Sequence, residues 1–329
     1  MNREAVATRL WCAPLHGLRG VMAAAVVAAH LLGSFLPTPG FHHAVDVFFV
    51  LSGYVLCMGF DRSLPFTGDG FRQFLRSRVA RLVPVAWLSV ALYWTAELVA
   101  HRAGRLTDAP FDTSWQNLLA NLLFLDGNLP WFASVGPKWS LSNEMVAYVA
   151  VFPFAWLLRR RPAALVALVA VVASQAIFAP SWDSWGSLAS RCLPCFLAGC
   201  ALFHLRLPAL PPWGVLACLV SGSGLFLFGD PLAMASGASL IVLAASQPTG
   251  PVARFLERRV VQWLGDISYP LYLLHPLVLY PVFLVQVLWP WSKALYPWCS
   301  IVPVAGSLAL AHVVHMRLEE PLRRRWRRP

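Results

Sequence analysis

Apolar stretches of membrane-spanning length follow one another along almost the whole chain. They lie near residues 14 to 36, 43 to 60, 82 to 100, 139 to 158, 163 to 179, 187 to 204, 213 to 228, 231 to 246, 264 to 289 and 296 to 316. A hydrocarbon core of about 30 Å takes roughly 20 helical residues, so segments of this length and composition predict spanning helices. The expected fold is an all-α, polytopic membrane helix bundle of about ten transmembrane helices. Pro153, Pro194, Pro270, Pro276 and Pro303 interrupt several of the stretches, which a bundle tolerates where neighbours satisfy the freed backbone groups. With 58% hydrophobic and 12% charged residues, the chain is excluded from the water-soluble globular class. Residues 1–329 read as a single integral membrane domain with a basic cytoplasmic tail at 317–329.

A formal charge of +11 raises nucleic acid as a partner, but the arginines fall in short blocks between apolar runs, without interleaved surface aromatics. They read as topology signals. Arg3 and Arg9, the blocks between Arg62 and Arg81, Arg159 to Arg161, Arg206, Arg254, Arg258, Arg259 and the tail arginines alternate with sparsely basic connections that hold Arg102, Arg105, Lys138, Lys293 and Arg191. The positive-inside rule then predicts both termini in the cytoplasm and a multi-pass protein of the cell inner (plasma) membrane. A cleaved signal peptide over residues 1 to 36 is the competing reading; it would leave the remaining charge bias facing the wrong way. The seven cysteines are odd in number and mostly lie in apolar segments, so neither a disulfide framework nor a metal site is expected, despite the CxxC of Cys192 and Cys195.

Ionisable residues at membrane depth are functional candidates. Arg19 and His30 stand eleven residues apart in the first apolar segment, a spacing that on a helix returns to the same face after roughly 16 Å. A basic anchor near one surface is thus coupled to an imidazole in the outer half of the core. Asp46 in HHAVDVFFVLSGY and Glu144 in WSLSNEMVAY fall one to two turns below the outer face, so the three groups are expected to meet as a carboxylate-oriented general base. The alternative is that both acids sit on a water-exposed rim. Arg78 and Arg81 in RSRVARLVP lie three apart, just before the third span; paired guanidiniums suit phosphate, and equally a lipid headgroup or a topological anchor. His275 in SYPLYLLHP, near the midplane with Tyr272 one turn away, is either a contact of the acyl donor or a hydrogen-bonded structural group. Arg191 is expected to pair with an outer-leaflet carboxylate or to anchor a helix end, and Ser52 of LSGY lacks the surroundings of a serine nucleophile. Between residues 101 and 136, TSWQNLLANLLFL predicts a helix starting at Thr113 or Ser114 with an apolar stripe of Leu118, Leu119, Leu122 and Leu123.

In chain order, LRG with His30 eleven residues after Arg19, AVDVFFVLSGYV, RVARLVP, WSLSNEMVAYV, RCLPCFLAGCALF, LGDISYPLYLLHP and LEEPLRR resemble the successive signatures of the acyltransferase-3 family of membrane acyltransferases. The resemblance covers residues 15 to about 323. It implies a bundle that moves an acyl group, often acetyl, from cytoplasmic acyl-CoA to a hydroxyl of a carbohydrate or glycosylated acceptor. It further implies that Arg19 and His30 are the family's Arg-to-His pair, Arg78 and Arg81 its RxxR pair, and Glu144 the acid of its WSL motif. His16, Ala44 and Asn143 depart from residues common in the family, and His16 bears most on charge around the donor. No appended esterase-like domain is recognised, so acceptor recognition is expected from the bundle and its outer loops. The expected site is therefore catalytic His30, Glu144 and Asp46, with Arg19, Arg78, Arg81 and His275 holding acyl-CoA (acetyl-CoA in the first place), and no metal. A polytopic carrier or flippase for a glycolipid is the alternative of another class; the sequence lacks the inverted repeat such a carrier carries.

Overall fold

Helices begin ahead of the apolar runs that announce them. The computed structural model describes residues 3–32, 43–62, 67–102, 112–126, 131–158, 188–228, 231–288 and 301–326, and all regular structure among them is helical. Helices α1 (Arg3–Leu32), α2 (Ala44–Arg62) and α3 (Gly68–Arg102) are followed by the short α4 (Trp115–Leu122). A 3₁₀ turn, Gly136–Lys138, opens α5 (Trp139–Leu158), and a π turn, Leu188–Cys192, opens α6 (Leu193–Leu205). Then come α7 (Pro212–Phe228), α8 (Pro231–Ala245), α9 (Pro251–Leu256), α10 (Arg259–Leu288) and α11 (Ile301–Val314), with a second π turn, His315–Glu319, leading into α12 (Glu320–Trp326). The predicted span at 163 to 179 lies outside the described residues. Among those described, Ala13–Leu31, Gly68–Val99 and Ile301–Arg325 are long and apolar enough to cross a membrane.

The early start of α3 corrects one expectation. In FRQFLRSRVARL, Phe71 and Phe74 pack toward the core while Arg72, Gln73, Arg76 and Ser77 stay exposed. That spacing keeps an arginine-rich stretch helical with one apolar face inward. Arg78 and Arg81 consequently lie inside a 35-residue helix rather than ahead of it.

The bundle packs α1 along α10, α2 against α6, α7 beside α8, and α10 against α11. Glycines set how closely the first two pairs approach. A Cβ on Gly53 would come within 1.9 Å of the Phe196 carbonyl oxygen, and one on Gly199 within 2.0 Å of that of Val50, so α2 and α6 meet backbone to backbone. Without a hydrophobic drive between helices in lipid, such close contact and its dispersion energy hold them. On the other pair, Gly20 meets the backbone of Leu264 and Gly265.

Helix α10 runs unbroken through Pro270, Pro276 and Pro281. A proline deprives the carbonyl four residues earlier of its partner. For Pro276 that carbonyl belongs to Tyr272, and His275 Nδ1 donates to it at 2.9 Å, and to Leu271 O at 3.1 Å. The imidazole replaces the missing backbone donor.

Between α3 and α5 the chain folds as a cap. Ser114 accepts from Asn117 N at 3.2 Å and caps α4, as the sequence predicts. Its buried face is Asn117, Ala120 and Asn121, however, not the leucine stripe, and Leu119 and Leu123 are exposed. Asn121 earns the inward position by bonding: its amide donates to Asn117 O and Ala133 O at 2.9 Å each, and its carbonyl accepts from Val135 N at 3.1 Å. Beside it, Lys138 is fully buried (0% exposed) and donates to Asp126 and, at 3.1 Å, to Ser142. Lys138 is thus no outer-surface charge. Burial lowers its pKa below the usual lysine value, although Asp126 beside it raises it.

Candidate active site

A cavity of about 90 Å³ lies among α1, α2, α3, α5 and α10. Arg19 enters it from α1, Arg78 and Arg81 from α3, and Glu144 from α5. Its walls are otherwise aromatic and aliphatic, with Val45, Phe48, Phe49 and Val55 from α2. At the end formed by α10 stand Ser268, Tyr269 and Tyr272, opposite Ser140 of α5.

Three guanidiniums so close to one another need anionic company. Arg19 lies in the field of Glu144, Glu319 and Arg78, and Arg81 in that of Arg19, Arg78 and Glu319. Glu319 comes from the π turn after α11, is 3% exposed and accepts from His315 Nδ1 at 2.9 Å. Glu144 Oε1 accepts from Ser52 Oγ and from Tyr148 OH, each at 2.5 Å. Arg78 lies over the rings of Phe74 at 4.9 Å and Tyr148 at 5.5 Å. The buried Nε atoms of Arg78 and Arg81 have no hydrogen-bond partner among the described residues, leaving donors for an incoming anion. Among the described residues two carboxylates do not neutralise three arginines, and the surplus favours an anionic ligand.

His30 and His275 form a second centre, one helical turn along α10 from Tyr272. Their ring centroids are 5.0 Å apart, and Tyr272 lies 6.5 Å from His275. His30 is exposed, whereas His275 is 1% exposed. His30 Nδ1 donates to Val26 O at 2.8 Å, the carbonyl one turn back on α1. Both imidazoles therefore carry hydrogen on Nδ1. His275 Nε2 is buried with no partner among the described residues.

The carboxylates expected beside His30 have other partners. Asp46, 2% exposed, accepts from Arg191 Nε at 3.0 Å and Nη2 at 3.1 Å, with His43 Nδ1 at 3.7 Å. That bidentate bond is the carboxylate pairing anticipated for Arg191, whose guanidinium also lies 5.3 Å over the Trp139 ring. Glu144 stands among the arginines because α5 starts within the protein, beneath the cap, with Lys138 already buried. Ser52 serves as its hydrogen-bond donor. The signal for Tyr148 was its place one turn after Glu144; the Lys138–Asp126 pair had none, since the two are twelve residues apart in a polar loop. His16 bonds Asp266 at 3.0 Å across the α1–α10 contact.

A family model described as an acyltransferase domain matches residues 14–314. The chain belongs to the acyltransferase-3 family. Among the described residues, three helices long and apolar enough to cross a bilayer, together with the family, mark it as a membrane protein. It is similar to the peptidoglycan O-acetyltransferase OatA of Listeria monocytogenes, at 24% identity over 98% of this chain and 58% of that protein. The putative peptidoglycan O-acetyltransferase YrhL of Bacillus subtilis is 26% identical over 94% of this chain and 54% of its own length. The putative membrane-bound transacylase BcsY of Komagataeibacter xylinus is 30% identical over 79% and 71% respectively. The acyltransferase chain spans little more than half the length of the first two relatives. No solved structure matches it.

Proposed function

We propose that this protein is an integral membrane O-acyltransferase moving an acyl group, acetyl in the first place, from cytoplasmic acyl-CoA to a hydroxyl of a carbohydrate or glycosylated acceptor. The observation that carries the reading is the joining of two centres along α10: an arginine-lined cavity that Tyr272 lines, and an imidazole pair one turn further along that helix. Names of the relatives, which are O-acetyltransferases and a transacylase, support the same reaction class. The bundle has about ten spanning helices in the inner membrane with both termini cytoplasmic.

Arg78, Arg81 and Arg19 hold the donor's phosphates; the unpartnered Nε atoms of Arg78 and Arg81 fit that task. Glu144 aligns the cluster from inside the cavity, and Asp46 braces α2 against Arg191. Extension along the cavity brings the thioester toward His275 and His30, so position supplies part of the catalysis. His30, the exposed imidazole, takes the proton of the acceptor hydroxyl at Nε2. The hydroxyl oxygen bonds to the thioester carbon, and the carbonyl becomes an oxyanion. Collapse breaks the carbon–sulfur bond, and the thiolate leaves with the proton that His30 returns.

Membrane vesicles carrying the full chain, supplied with [14C]acetyl-CoA at the cytoplasmic face, test this. Label passes to the cell's own glycan acceptors with wild type and ceases with His30→Ala. Arg78→Ala and Arg81→Ala each raise KM for acetyl-CoA at least about tenfold, the scale of one lost charge-assisted hydrogen bond. Unchanged transfer by a correctly inserted His30→Ala chain overturns the proposal.

A further inference from the structure

The transition state of acyl transfer carries a developing negative oxygen on the acyl carbonyl, and the proton that His30 gains at Nε2 goes to the leaving thiolate. Both Nδ1–H groups are committed to backbone carbonyls. Donors must come from elsewhere near the seam between cavity and imidazoles. That seam is occupied by a triangle of oxygens: Tyr272 OH to Ser140 Oγ at 2.7 Å, Tyr272 OH to Pro137 O at 3.0 Å, and Ser140 Oγ to Pro137 O at 3.1 Å.

The triangle has an unusual proton count. Three contacts are served by two hydroxyl hydrogens, because the Pro137 carbonyl can only accept. At most two of the contacts are hydrogen bonds at any moment. If Tyr272 turns its hydrogen toward another acceptor, Ser140 still satisfies Pro137 O, and no buried group is orphaned. One donor is thus available at small cost, where withdrawing a donor from a fully satisfied site leaves a buried polar atom unpaired.

Position agrees. Both Ser140 and Tyr272 line the arginine cavity at its α10 end, and Tyr272 stands three residues, about 4.5 Å of helix rise, from His275. The frame is fixed from behind. Pro137 and Ser140 flank Lys138, whose ammonium is locked to Asp126 and Ser142, and Ser142 Oγ donates to Asp126 at 2.7 Å. On the other side, Phe48 meets the Tyr272 ring edge-on at 5.8 Å. Such a preset donor needs no reorganisation as charge develops, the condition under which oxyanion stabilisation is strongest.

The geometry points to Tyr272, with Ser140 as its exchange partner, as the hydroxyl that donates to the oxyanion formed on the acyl carbonyl. This rests on the acyltransferase reading above and adds the electrophilic half of its mechanism. When the acceptor oxygen bonds to the carbonyl carbon, the carbonyl π pair moves to oxygen and Tyr272 O–H donates to it. As the carbon–sulfur bond breaks, the pair returns and the phenol swings back to Pro137 O.

The test uses the same vesicles and [14C]acetyl-CoA, with CoA binding followed in parallel. Tyr272→Phe lowers the maximal rate about 100-fold or more, the range for one oxyanion donor, with CoA affinity and KM for acetyl-CoA within about twofold of wild type. Ser140→Ala loses less, and Ser140→Thr, which keeps the hydroxyl, restores most of the rate. Difluorotyrosine at position 272, a more acidic donor of the same shape, transfers faster than the phenylalanine variant. A Tyr272→Phe chain with an unaltered maximal rate overturns the assignment, as does one that loses CoA binding together with its rate. If wild type itself transfers no label, the parent reading has failed instead, and the two failures are told apart.

Discussion

At the scale of single residues, the buried Lys138–Asp126 pair shows how a charge can mislead. As a lysine beside an apolar run it reads as an outer-face topology marker, yet it is enclosed with its partner under the cap. Removing one charge leaves the other stranded in a low-dielectric site, which costs about 3–5 kcal/mol, whereas removing both does not. Lys138→Met is therefore expected to lower the unfolding temperature in detergent sharply. Adding Asp126→Asn, whose amide oxygen accepts from one of Ser134 and Ser142 while its NH2 donates to the hydroxyl oxygen of the other, recovers most of the loss. Residue types at this scale were legible where chemistry demanded them: Arg19, Arg78, Arg81 and Glu144 were all singled out, and they line one cavity. The three arginines were grouped as one donor site, but the place of Glu144 among them was not legible. Apolar boundaries do not mark where these helices start: α3 begins well before its apolar run, and α5 opens from a turn whose Lys138 is fully buried.

Among the elements, what fixes the bundle is how near two backbones come. Gly53 and Gly199 sit where α2 and α6 touch, and each would drive a methyl into a carbonyl oxygen that cannot give way. Gly53→Ala should destabilise by about 1–3 kcal/mol, the usual penalty for overpacking. Gly59→Ala on the same helix meets nothing within 4 Å and should be neutral or stabilise by up to about 1 kcal/mol from helix propensity. Thermal unfolding of the two variants side by side separates contact from propensity; equal effects would contradict the contact argument. Hydropathy located these helices because lipid contact selects apolar residues. It missed their first turns, as in the amphipathic start of α3, and it turned α4 over, since the buried face there is won by asparagine hydrogen bonds rather than by leucine.

For the molecule as a whole, the arginine distribution predicts which way the bundle faces. A fluorescent protein fused after Pro329 is expected to fold and fluoresce, and alkaline phosphatase at the same position to stay inactive, because the positive-inside rule assigns the tail cluster from Arg323 onward to the cytoplasm. The reverse pattern would invert the donor and acceptor sides. Packing of α1 along α10 carries a consequence for synthesis. The first helix leaves the ribosome more than two hundred residues before the one that flanks it, an interval of tens of seconds at ordinary elongation rates. Until then Gly20 has no backbone to rest on, and His30 faces lipid or a temporary guest. The two imidazoles can only come together late in biogenesis, so a nascent chain stalled before α10 carries the site unassembled.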